Sequence, residues 1–160
     1  MRSLVTLFVL AACAAPAAAQ TDTATLNTSL TGLARLTLSS SAITFPDADP
    51  DAVPLVPSSP PTISITAKAR AAEGGVVTLT VQASDELRSG VVTLPASLIT
   101  WTASGTGFAG GTLSATTPRA VATWSGSGVR IGTQSFFFAN LWSHPTGTYT
   151  LTLLLTLSAA

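Results

Sequence analysis

Charge is scarce in this chain. Of 160 residues only 9% are Asp, Glu, Lys or Arg, against about 25% in an ordinary soluble domain. Lysine occurs once, at Lys68, and glutamate twice, at Glu73 and Glu86; the single methionine is Met1 and the single histidine His144. Such residues cover exposed helix faces, so their scarcity excludes a helical bundle. Seven basic and seven acidic side chains leave no net charge, which excludes the basic footprint of a nucleic-acid-binding protein. One cysteine, Cys13, excludes a disulfide framework. No apolar run reaches the ~20 residues that a membrane-spanning helix needs, so no transmembrane segment is expected in the mature chain.

Hydroxyl groups fill the place of charge, with 44 Ser and Thr residues, while hydrophobic residues make up 46%. The chain therefore has material for a core and is not a disordered polar tail. Its first twenty residues read as an export signal. Arg2 is a minimal positive region, Leu4 to Leu10 a short apolar run, and Ala17-Ala18-Ala19 a small-x-small cleavage pattern. Cleavage after Ala19 removes residues 1–19 and leaves 20–160 as one domain of about 140 residues. Loss of Arg2 leaves six basic and seven acidic residues, a net charge of about −1. Leu10-Ala11-Ala12-Cys13 offers a second processing route, since it resembles a bacterial lipobox. Cys13 would then carry a lipid and anchor the protein at the outer membrane. Either route places the protein outside the cytoplasm, secreted or periplasmic.

The mature chain alternates with period two. Tyr149, Leu151, Leu153, Leu155 and Leu157 fall on one face of Thr148 to Leu157, and Thr148, Thr150, Thr152 and Thr156 on the other. That pattern predicts a strand with one buried face. Ile63, Ile65 and Ala67 repeat it, as do Val77, Leu79 and Val81, and Ile99, Trp101 and Ala103. Val121 with Thr123 against Ala122 with Trp124, and Ile131 to Phe138, predict two more strands. Leu26, Leu30, Leu36, Leu38, Ile43 and Phe45 predict one or two near the start. Glycine-rich turns separate the runs, and the proline-rich stretch Pro46 to Pro61 reads as a loop. Seven to nine such strands predict an all-β fold, a single antiparallel β-sandwich of immunoglobulin-like or jelly-roll kind. Asp85-Glu86-Leu87-Arg88 is the one expected helical turn.

No enzyme signature stands out. His144 precedes Pro145 in a turn, no G-x-S-x-G elbow occurs, and Lys68 sits beside Arg70 at a strand end. The expectation is a non-enzymatic protein without a resident cofactor. Asp47, Asp49 and Asp51 stand at alternate positions like the first half of a calcium loop. Asp residues capping their own backbone in a turn would look the same. Trp142 and Phe108 lie in turn regions and are candidates for stacking on sugar rings, whereas Trp101 and Tyr149 share parity with core aliphatics. These features define one expectation, a monomeric polysaccharide-binding module that uses calcium.

The C-terminal motif Gly147-Thr148-Tyr149-Thr150-Leu151-Thr152-Leu153 supports another. It resembles the last strand of secreted bacterial pilin-like sandwiches, the spore coat protein U and Csu-type fimbrial subunits. Ala42 to Phe45, Gly90 to Pro95 and Asn140 to Tyr149 share that resemblance. The mature chain departs from many such subunits in having no cysteine. The resemblance implies a structural or adhesive surface role in which an N-terminal arm completes a neighbouring subunit's sandwich. Here residues 21–32 would be the arm, with Leu26 and Leu30 filling core pockets and Gly32 allowing close backbone approach. Its partners would be further copies or other surface subunits. The same alternation equally suits a first strand paired within its own chain.

Overall fold

The computed structural model describes residues 25–160. Cys13 and the leader 1–19 lie outside the described residues. Eleven strands form among the described residues: β1 (Leu33–Leu38), β2 (Leu55–Pro57), β3 (Ile63–Arg70), β4 (Val76–Ala83), β5 (Leu87–Ser89), β6 (Val92–Leu94), β7 (Ile99–Ser104), β8 (Gly111–Thr112), β9 (Arg119–Ser125), β10 (Gly128–Ala139) and β11 (Leu153–Ala159). Seven of them have six residues or more. The only helical element among the described residues is a 3-10 turn, Ala96–Leu98. All strand pairings are antiparallel.

The larger sheet runs β1-β3-β10-β7-β8, with β2 paired to the far end of β10; the smaller runs β11-β4-β9. Their facing sides bury Ile63, Ile65, Ala67, Ile99, Trp101 and Phe136 from one sheet. Val77, Leu79, Val81, Val121 and Trp124 come from the other. The result is a β-sandwich, not closed into a barrel. The inward positions of β3 and β4 are those that their alternation predicts, and the outward Thr, Ser and Lys meet water. Burying a run such as Val77, Leu79 and Val81 stabilises the fold by about 1.5–3 kcal/mol per side chain.

Two corners carry the chain between sheets at one end of the sandwich. The β3–β4 turn and the β9–β10 turn lie side by side, with Gly126 N donating to Gly75 O at 2.8 Å and Ala71 N to Ser127 Oγ at 3.0 Å. Gly126 has φ +73°, a conformation that side-chain-bearing residues rarely adopt, so the tight β9–β10 corner favours glycine there. At the opposite end, the Pro46–Pro61 stretch folds against the C-terminal end of β10. It is not purely a loop, because Leu55, Val56 and Pro57 pair with Ala139, Phe138 and Phe137.

Other departures from expectation have local causes. In β9 both Val121 and Ala122 are buried, and Trp124 follows Ala122 inward while Thr123 is exposed. A bulge opposite Leu79 and Thr80 inserts Val121 and shifts the parity. Asp85 to Arg88 is not a helical turn. Asp85 accepts from Glu86 N, a Glu86 carboxylate oxygen accepts from Ala96 N, and Leu87 is buried at the start of β5. The Arg88 guanidinium, its Nε 2.6 Å from Asp85 Oδ2, and the Glu86 N–H hold the Asp85 carboxyl below the usual carboxylate range. At the C-terminus the ladder with β4 begins only at Leu153. Before it, Thr150 bridges to Arg88 of the β5–β6 hairpin, and the inward parity of Tyr149 and Leu151 is kept.

Candidate interaction surfaces

Residues 25–32 form no strand or turn, and each is exposed. Leu26 is 96% exposed and Leu30 72%. Among the described residues the first strand therefore starts at Leu33; before it Leu26 stands free, and Leu30 lies beside Ala69, Ala71 and Ala72 with most of its surface still exposed. Gly32 sits where an added Cβ would lie 3.7 Å from Arg70 O, an ordinary contact. Among the described residues nothing requires glycine there.

Along one long side of the sandwich the two sheets come together without pairing through hydrogen bonds. That side is flanked by β1, an edge of the larger sheet, and β11, an edge of the smaller. Leu36 and Leu38 of β1 and Leu151, Leu153, Leu155 and Leu157 beside or within β11 point inward but stay half-buried. Among the described residues β11 pairs only with β4, so its second edge keeps free N–H and C=O groups. Such an edge accepts a further strand.

The three aspartates share one exposed loop without converging. Asp47 Oδ1 accepts from Ala48 N, Asp49 Oδ1 from Asp51 N at 2.9 Å, and Asp51 Oδ1 from Trp142 Nε1 at 3.0 Å. Among the described residues no three His, Cys, Asp or Glu side chains gather as a metal would need. The loop is clamped instead by Asn140, whose Nδ2 donates to Ala48 O at 2.9 Å and to Val53 O at 3.3 Å. Trp142 is 71% exposed beside it, with Leu141 and Leu55 also exposed.

Phe108 is elsewhere. Its ring lies on Gly132 of β10, where an added Cβ would come within 2.5 Å of it. Gly132 and Asn140 are eight residues apart, about 26 Å along a strand, so Phe108 and Trp142 do not share a platform. Trp101 is 3% exposed and donates from Nε1 to Ala109 O at 2.9 Å. Tyr149 is half-buried, and its hydroxyl donates to Pro145 O at 2.9 Å, which fixes the turn before β11. His144 packs its ring 5.5 Å from that of Phe138, and its buried Nδ1 has no partner among the described residues. A catalytic triad needs that second nitrogen held by a carboxylate.

No family model matches the chain, and no curated protein or solved structure matches it significantly.

Two groupings escaped the sequence reading. On the inward face of β10, Gln134 is 1% exposed and Arg130 lies 5.7 Å over the Trp124 ring. Counting back by twos from Phe136 gives both positions. On the outward face of the larger sheet, Arg35, Lys68 and Arg70 come together through the β1–β3 register. No local signal gives that pairing, because residues thirty and more positions apart make it.

Proposed function

We propose that this chain is an exported, non-enzymatic structural or adhesive surface protein that assembles by β-strand donation, with residues 21–32 as the donated arm. The observation that carries this reading is the unused alternation of the arm. Leu26 exposes nearly all of its apolar surface and Leu30 most of it, and fully burying such a side chain is worth about 1.5–3 kcal/mol. The acceptor would be the edge of β11 that is unpaired among the described residues, beside the half-buried leucines next to β1. A strand laid along that edge would gain backbone hydrogen bonds from β11 and would seat alternate side chains against Leu153, Leu155 and Leu157.

The test compares mature 20–160 with the double variant Leu26→Asp/Leu30→Asp and with a version starting at Leu33, by light scattering after size exclusion. In 1 M sodium chloride the native chain is expected to form a ladder of masses and both altered forms a monomer. Because Leu26 is almost fully exposed and Leu30 mostly so, unfolding free energy should stay within about 0.5 kcal/mol of the native value. Undiminished assembly by the double variant would refute strand donation. A large loss of stability would show that the arm belongs to its own sandwich.

A further inference from the structure

The outward face of the larger sheet carries an uncompensated basic group. Arg35 stands directly opposite Lys68, and Leu33 opposite Arg70. Their inward neighbours Leu36, Ala67 and Ala69 pack against or within the core, so parity turns all three cations to the same outer face. Like charges placed directly opposite across a sheet are destabilising. Among the described residues no carboxylate pairs with them, the one ion pair being Arg88–Asp85. Glu73, in the turn after β3, is the acid nearest in sequence and makes no ion pair. Around the cations lie exposed apolar side chains: Leu33 at 64%, Val129 at 49% and Ile131 at 66%. Val129 pairs with Lys68 and Ile131 with Thr66, which places them on the same face.

The other end of the molecule is the counterpart. Asp47, Asp49 and Asp51 are exposed, and among the described residues no Lys, Arg or His nitrogen lies within 4.0 Å of them. His144, two residues after the Trp142 that bonds Asp51, has its ring packed against Phe138. The acidic loop is likewise bordered by three exposed apolar side chains, Leu55, Leu141 and Trp142. The β2–β10 pairing and the Asn140 clamp fix it at the C-terminal end of β10, whereas the cations flank the N-terminal end. Ten residues of strand separate Val129 from Ala139, about 33 Å. No chain can neutralise itself over that distance.

We propose that the Arg35–Lys68–Arg70 face docks the Asp47–Asp51 loop of a second copy of this chain, so that copies join head to tail along β10. The two surfaces match in number of charges, in opposite sign and in their apolar borders. A contact between different surfaces of identical chains does not close on itself unless its rotation does, so it propagates as a fibre or a ring. This inference rests on the reading that the chain assembles with itself, but not on strand donation. Each exposed ion pair contributes little alone, so docking needs several together and weakens as salt shortens the screening length from roughly 30 Å at 0.01 M to 3 Å at 1 M.

The experiment is sedimentation of mature 20–160 at 10 mM and 1 M sodium chloride. It includes a base-reversed chain (Arg35→Glu/Lys68→Glu/Arg70→Glu), an acid-reversed chain (Asp47→Lys/Asp49→Lys/Asp51→Lys), and their equal mixture. A fourth form, Asp47→Asn/Asp49→Asn/Asp51→Asn, keeps the loop's capping oxygens while removing its charge. The native chain should associate at least tenfold more tightly at low salt than at high. Each altered chain alone should lose that salt-sensitive association, and the mixture should regain it, which also shows that both fold. Association of either reversed chain like the native one, or failure of the mixture, overturns the proposal. Should the charge variants assemble normally while Leu26→Asp/Leu30→Asp does not, docking fails and strand donation stands. The opposite pattern leaves docking standing alone. A native chain monomeric at both salts refutes both.

Discussion

Gln134 lies where two sheets meet, 1% exposed, with its amide nitrogen unpartnered among the described residues. Ile131, three positions earlier, is 66% exposed. Hydrophobicity alone would exchange these two roles. What decides the matter is pairing: Gln134 stands opposite Ile63 and Ala103, and Phe136 opposite Trp101, so the even positions of β10 face the core. Three consecutive phenylalanines, Phe136 to Phe138, hide that parity in the sequence, because either face of the strand looks apolar. A buried amide donor without a partner costs roughly 1–3 kcal/mol. Gln134→Met, which keeps the volume and removes the donor, should therefore raise unfolding free energy by about 1 kcal/mol in urea. A loss of that size would show that the amide is paired in solution.

Strands differ in what their leucines are worth. Leu79 is fully buried in β4, flanked by β11 and β9, while Leu155 is half-buried on the edge strand β11. In the monomer, Leu79→Ala should cost about 2–5 kcal/mol and Leu155→Ala less than half of that, read from urea midpoints. In assembled protein the Leu155→Ala cost should rise, since a donated strand would cover the site. Both leucines belong to plain period-two runs, and their inward direction was legible from alternation. Their different burial was not, because it depends on which strand has a neighbour on both sides. The same limit explains the Val121 bulge and the late start of the β11 ladder at Leu153. Register is set by the partner strand, and a local run of residues carries no record of it.

At the scale of the molecule, the sandwich follows from patterns that a chain displays along its length, whereas the alternation around Leu26 and Leu30 suits an inner strand and an exposed segment alike. The charged surfaces follow from no such pattern. Arg35, Lys68 and Arg70 are scattered in sequence and are gathered only when β1 pairs with β3. Asp47, Asp49 and Asp51 are visible as a cluster, but their place at the far end of β10 depends on the β2 pairing and the Asn140 clamp. A formal charge of zero thus describes the inventory and conceals its arrangement. With Arg35, Lys68 and Arg70 at one end of a long strand and Asp47, Asp49 and Asp51 at the other, the molecule carries a built-in separation of charge. It should be retained at low salt, near neutral pH, by both cation- and anion-exchange resins, each holding it by a different end.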